Sequence, residues 1–272
     1  MRVFIAAQRA GHTTRGKRGG FTRKGRLRFG LAAASFALTV GPSMPPATLA
    51  PEAPWRAGLR SARANLLPGL ALQIAALALV TAYYQHAPTR AVLGRLTVWR
   101  NDVGVISAII STGCFGGLLP VLYLRARAAS RTHFTWMQGA VITVFWAYKG
   151  LEVELFYRLL ARFVGEGHSI ATIAIKVLLD QFVYCPVLAV PLTVLVYEWA
   201  DLQFNRSALT ADIQAGGWAR RRILPVLISN LGVWLPGACI IYALPTPLQL
   251  PMQNLLLCFF TLLVAHQTRR AV

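Results

Sequence analysis

The sequence predicts an all-α fold, a polytopic transmembrane bundle of five to six membrane segments, and three observations lead there. Hydrophobic residues fill 56% of the 272 positions and charged residues only 14%, against roughly a quarter charged in soluble domains. The apolar residues gather into six long runs, five of them without a charged face, where a soluble helix would show a polar stripe. The cations behind the formal net charge of +19 fall mostly in a tail and in the connections. The apolar content excludes a disordered chain, and the low charge density excludes a soluble basic domain.

The first segment, 1–65, holds 12 of the 28 cations and one acid, Glu52, and is punctuated by Gly16, Gly19, Gly20, Gly25, Pro42, Pro45, Pro46, Pro51 and Pro54. It lacks a helix-sized apolar run and reads mostly as a flexible basic arm drawn to anionic lipid headgroups. Two targeting readings stand beside that one. An acid-poor, Arg-rich start resembles a transit peptide, and Phe29–Val40 followed by Gly41-Pro42 imitates a secretory signal. No nucleic-acid fold motif or aromatic interleaving accompanies the charge, so nucleic acid is not an expected partner.

A spanning helix needs roughly 20 apolar residues at about 1.5 Å each. Leu66–Tyr84 is the heart of the gap between Arg63 and Arg90, and 66–100 forms an extra membrane helix with its loop. The remainder, 101–272, holds the main bundle. Val103–Leu124 and Thr132–Tyr148 are uncharged, and the latter continues into the amphipathic stretch Leu151–Val164. Ile170–Tyr197 contains Lys176 and Asp180. Ile223–Leu244 is the fifth run, and Met252–Thr268 follows the break at Pro245-Thr246-Pro247.

Loop cations favour the cytoplasmic side. With six spans, the tail, 125–131, 198–222 and the C-terminus share one face, with 21 cations. The other face has six: Arg90, Arg95, Arg100, Lys149, Arg158 and Arg162. Both termini are therefore expected on the cytoplasmic or matrix side. Arg outnumbers Lys 24 to 4, as in GC-rich genomes. That favours a bacterial inner membrane, with a mitochondrial inner membrane as the alternative.

Cys114, Cys185, Cys239 and Cys258 sit singly in separate runs, and the five histidines form no metal-binding cluster. Neither a nucleophile elbow nor a phosphate loop is present. No catalytic residue, metal or cofactor is expected, and the chain is not read as an enzyme. Polar residues inside spans are costly and so informative. Lys176, Asp180 and Tyr184 are spaced i, i+4, i+8, so an α-helix would carry them on one face. They read either as a polar stripe along a pore, or as a structural pair in which Lys176 neutralises Asp180 and Gln181 bonds a neighbour. Pro186 and Pro191 would bend this helix and free carbonyls. Asn230 reads as interhelical glue and Trp234, before Pro236, as an interface anchor or helix break. Pro245 and Pro247 break the chain again. Gly113, Gly116 and Gly117 permit close helix contact.

At these residues the chain resembles the Mpv/PMP family of small membrane proteins of the mitochondrial inner membrane and peroxisome. Phe156-Tyr157-Arg158-Leu159-Leu160 is similar to its Trp-Tyr-x-x-Leu segment. Lys176…Asp180-Gln181…Pro186 is similar to its Lys-x-x-x-Asp-Gln-x-x-x-x-Pro element, and Asn230…Trp234…Pro236 with Pro245 to its Asn-x-x-x-Trp-Pro…Val-Pro block. The likeness spans about 101–270. It departs at Leu235, which splits Trp-Pro, and around Gly113–Leu119, where the family has an acid. The resemblance implies a weakly selective channel for ions or small solutes, with Lys176, Asp180, Gln181, Asn230 and Trp234 as functional positions. A non-conducting structural or scaffold protein, whose polar residues serve packing, is the alternative. Expected partners are the lipid bilayer, anionic headgroups and, as one option, further copies of the chain.

Overall fold

A computed structural model describes residues 53–126 and 135–267; the readings placed on residues 1–52, on Arg127 and Arg131, and on Arg269 and Arg270 lie outside them. Among the described residues there are nine helices: α1 (Pro54–Ala64), α2 (Leu66–Gln85), α3 (Ala87–Val103), α4 (Val105–Ala126), α5 (Trp136–Val164), α6 (Ile170–Asp201), α7 (Arg206–Gln214), α8 (Ala219–Tyr242) and α9 (Thr246–Gln267). No strand occurs among them. By length and composition α4, α6 and α8 can each cross a membrane. The pair Pro54–Ala64 and Gly69–Gln85, bent by 55°, would make a fourth.

Each of the three spanning helices contains a stretch of π-helix, and each stretch contains or closely precedes a proline. Gly113–Leu118 precedes Pro120, Asp180–Ala189 contains Pro186, and Ala219–Ile223 precedes Pro225. A proline ring cannot donate to the carbonyl four residues back and presses against it. Widening the ladder to i→i+5 absorbs the mismatch without ending the helix. The expected helix breaks therefore resolve differently. Pro186 lies within the π stretch, Pro191 in the first α turn after it, and Pro236 inside continuous helix. Only Pro245 stands in an actual break, and Pro247 belongs to the first turn of α9.

Two stretches read as tail and loop are helical. α1 packs on α8, where Ser61 and Ser229 hydroxyls meet at 3.1 Å, and where a Cβ on Gly58 would lie 2.8 Å from Ile228 Cβ. α3 is amphipathic: Leu93, Leu96 and Arg100 face inward, while Val92, Val98 and Trp99 are exposed. The expected close contact through glycines is present between α4 and α5. A Cβ on Gly117 would meet Thr143 Cα at 2.6 Å, and one on Gly150 would meet the Ala108 carbonyl at 2.3 Å.

The bundle is apolar outside and partly polar inside. Ile106, Ile110, Val144, Leu155, Phe163, Leu178, Phe182 and Val187 are exposed, while Lys149, Glu154, Lys176, Asp180, Gln181 and Asn230 are buried. Water as the surrounding solvent would favour the reverse. One apolar core gathers Val153, Tyr157, Ile241, Leu244 and Leu250, and another Ile142, Trp146, Val190, Val194 and Leu257. Tyr184 and Trp234 pack against both, so these two of the residues singled out from sequence sit at their junction.

Candidate functional site

Asp180 opens the π stretch of α6. The i→i+5 register brings Cys185 beneath it, and the thiol donates to Asp180 Oδ1 at 3.6 Å. The Tyr242 hydroxyl, from the last turn of α8, donates to Oδ2 at 3.0 Å. The Gln181 amide borders the same carboxylate, and Lys149 of α5 is the cation whose charge acts on it. Only 8% of Asp180 is exposed.

The inward face of α5 supplies the next layer. Lys149 Nζ donates to Glu152 Oε1 and, at 3.1 Å, to the Tyr184 hydroxyl. Tyr184 in turn donates to Glu152 Oε1 at 2.6 Å. Phe156 stacks on the Tyr184 ring with centroids 4.1 Å apart. One residue on, Tyr157 donates to Gln253 of α9 and meets the Tyr242 ring edge-on at 5.5 Å. Three helices, α5, α6 and α8, thus converge on one polar network, with α9 at its margin.

The structure corrects two expectations. Lys176 and Asp180 do not pair. Lys176 is buried in the α-helical part of α6, and the opposite charge acting on it is Glu166, from the connection before α6. The change of register at Asp180 ends the common i, i+4, i+8 face, and the hydrogen bonds of Asp180 and Tyr184 point to α8 and α5 instead. Lys149 is not a loop cation. It lies in the middle of α5 with its side chain 3% exposed and ion-paired to Glu152.

Gln181 and Asn230 are both buried at the site. The Asn230 amide lies against the Cys185 thiol, and its Oδ1 has no hydrogen-bond partner; Gln181 Oε1 and Glu152 Oε2 lack one too. Trp234 lines a small apolar cavity with Gly69, Leu72, Val233, Leu256 and Phe260. No residue of the Asp180 network lines that cavity.

Ion clusters tie the bundle on either side of the network. Arg100 of α3 reaches Glu154 of α5 at 2.5 Å and the Pro247 carbonyl at the start of α9, and Arg158 holds the other Glu154 oxygen at 2.9 Å. Beyond the far core, Arg222 bridges Glu198 at 3.0 Å and Asp212 at 2.8 Å, and Trp218 donates to Glu198 at 2.9 Å.

Sequence reasoning passed over Lys149, Glu152, Tyr157, Cys185 and Tyr242. Lys149-x-x-Glu152-x-Glu154 placed directly after an uncharged run was the usable signal. Acids there mark a charged helix face that needs an interior partner. Tyr242 carried no such signal, since its role arises from where α8 ends.

The arrangement holds paired charges and polar groups inside a bundle whose outer face is apolar. Among the described residues no group of three or more His, Cys, Asp or Glu side chains could hold a metal ion. Comparison with family models, with curated proteins and with solved structures finds no match.

Proposed function

We propose that the protein is a weakly selective membrane channel for ions or small solutes, with the Asp180 network on the conduction path. The observation that supports this reading is a set of buried polar atoms without protein partners: Gln181 Oε1, Glu152 Oε2 and Asn230 Oδ1. Polar groups that only glue helices together use their atoms on one another. An unsatisfied one costs about 1–3 kcal/mol. Atoms left over inside a bundle are matched by water or by a passing solute.

Six spans fit this reading: α2, α4, α5, α6, α8 and α9, with α3 and α7 lying along the membrane faces. α5 and α9 have 29 and 22 residues, enough to cross, and the charges at the centre of α5 are turned inward and paired. The likeness to the Mpv/PMP family agrees with it, since the Lys-x-x-x-Asp-Gln-x-x-x-x-Pro element falls on Lys176–Pro186, of which Asp180, Gln181, Tyr184 and Cys185 belong to the network. A bacterial inner membrane remains the proposed location, with a mitochondrial inner membrane as the alternative and both termini on the cytoplasmic or matrix side. Setting aside the buried, ion-paired Arg100, Lys149 and Arg222 leaves the cation bias pointing the same way.

The scaffold reading has its own support in Asn254, which accepts from Thr112 at 3.0 Å and donates to Ser111 at 3.1 Å between α9 and α4. That is a fully used amide, the pattern of helix glue. Planar-bilayer recording of the wild type and Asp180→Asn separates the two. A channel changes its selectivity with folded protein intact. A scaffold loses folded protein and shows no current.

A further inference from the structure

We infer that the Asp180 network is a binding site for one small monovalent cation. Two carboxylates, Asp180 and Glu152, share a single ammonium group. Lys149 is ion-paired to Glu152, and its charge also acts on Asp180. Lys176 does not make up the difference, because the acid acting on it is Glu166. The remaining neighbours, Tyr157, Tyr184, Tyr242 and Cys185, bring no positive charge. With the acids ionised, one negative charge is left over in an interior that penalises it strongly.

The unpartnered atoms are an independent sign of a ligand. Gln181 is 3% exposed and Asn230 2% exposed, and Gln181 Oε1, Asn230 Oδ1 and Glu152 Oε2 meet no donor. Gln181 borders the Asp180 carboxylate, and Asn230 lies against Cys185, whose thiol bonds to the same carboxylate. Carboxylate and amide oxygens are the ligands of hard cations, and a single excess charge matches a monovalent ion. The ligands assigned are Asp180, Gln181 Oε1 and Asn230 Oδ1, with Glu152 supplying the further charge. As a statement about what permeates, this rests on the conduction reading above; as a statement about binding, it is measured without any current.

The experiment is thermal unfolding of the purified full chain in detergent, in NaCl, KCl or N-methylglucamine chloride at equal ionic strength. A bound cation stabilises the folded state by linkage, so Tm in Na⁺ or K⁺ should exceed that in N-methylglucamine by roughly 2–4 °C. Asp180→Asn should abolish the increment. Gln181→Met, which keeps every charge and removes one unpartnered oxygen, should reduce it and stays informative if the first variant folds poorly. Equal Tm in all three salts, or an increment that survives in both variants, overturns the site. A cation-dependent Tm in a protein that carries no current overturns the conduction reading and leaves the site standing.

Discussion

Tyr242, the last residue of α8, donates its hydroxyl to Asp180 Oδ2 at 3.0 Å, where α6 leaves α-helical register. The bond joins two helices through a buried carboxylate, with the Tyr157 ring edge-on against Tyr242. Hydrogen bonds to charged groups contribute about 1.5–3 kcal/mol. Tyr242→Phe keeps the ring and removes only the donor, so it should lower stability by about that amount. Thermal unfolding in detergent measures it, and an unchanged Tm would mean that the bond is not formed in the folded protein.

The α4–α5 contact predicts a sharp contrast between two glycines. A Cβ on Gly150 would come within 2.3 Å of the Ala108 carbonyl, whereas one on Gly94 would meet nothing within 4 Å. Gly150→Ala should cost about 1–3 kcal/mol or more through overpacking. Gly94→Ala, on a helix with open space, should be neutral or stabilising by up to about 1 kcal/mol. The yield of monodisperse protein and its Tm check both. Equal behaviour of the two variants would refute the close approach.

Arg100 and Glu154 are buried partners from α3 and α5. Removing one member of a buried pair strands the other charge and typically costs about 3–5 kcal/mol, while replacing both with apolar residues is often neutral. Arg100→Met leaves Glu154 only the half-exposed Arg158 as a partner, so it should destabilise by less than that, about 1–3 kcal/mol, and adding Glu154→Leu should restore most of the loss. A double-mutant cycle on unfolding midpoints measures the coupling. Additive losses would show that the two side chains act independently.

Much of this architecture was legible in residues and their order. Long apolar runs marked α4, α6 and α8, the second despite Lys176 and Asp180, since lipid demands apolar side chains over a length set by the helical rise. Gly113, Gly116 and Gly117 announced the face on which α5 would press. The polar network was legible only at its α6 end. The α-helical ladder does hold from Lys176 to Asp180, whose amide donates to the Lys176 carbonyl, but the Asp180 carboxylate turns to Cys185 in the π stretch and to Tyr242 of α8. Lys149 was misplaced because charge at the end of an apolar run looks like a loop, while its buried ion pair with Glu152 depends on three-dimensional packing. α3 was missed because an amphipathic helix has too little apolar length to stand out.

The central claim, that Asp180 stands on a conduction path, is tested most directly by single-channel recording under a salt gradient. Asparagine can still accept from Tyr242 but removes the charge, so folding should persist while the field along the path changes. The account predicts currents from the wild type and a shifted reversal potential in Asp180→Asn, with equal amounts of folded protein. Well-folded wild-type protein that never carries current, or an Asp180→Asn variant with unaltered reversal potential, would contradict it.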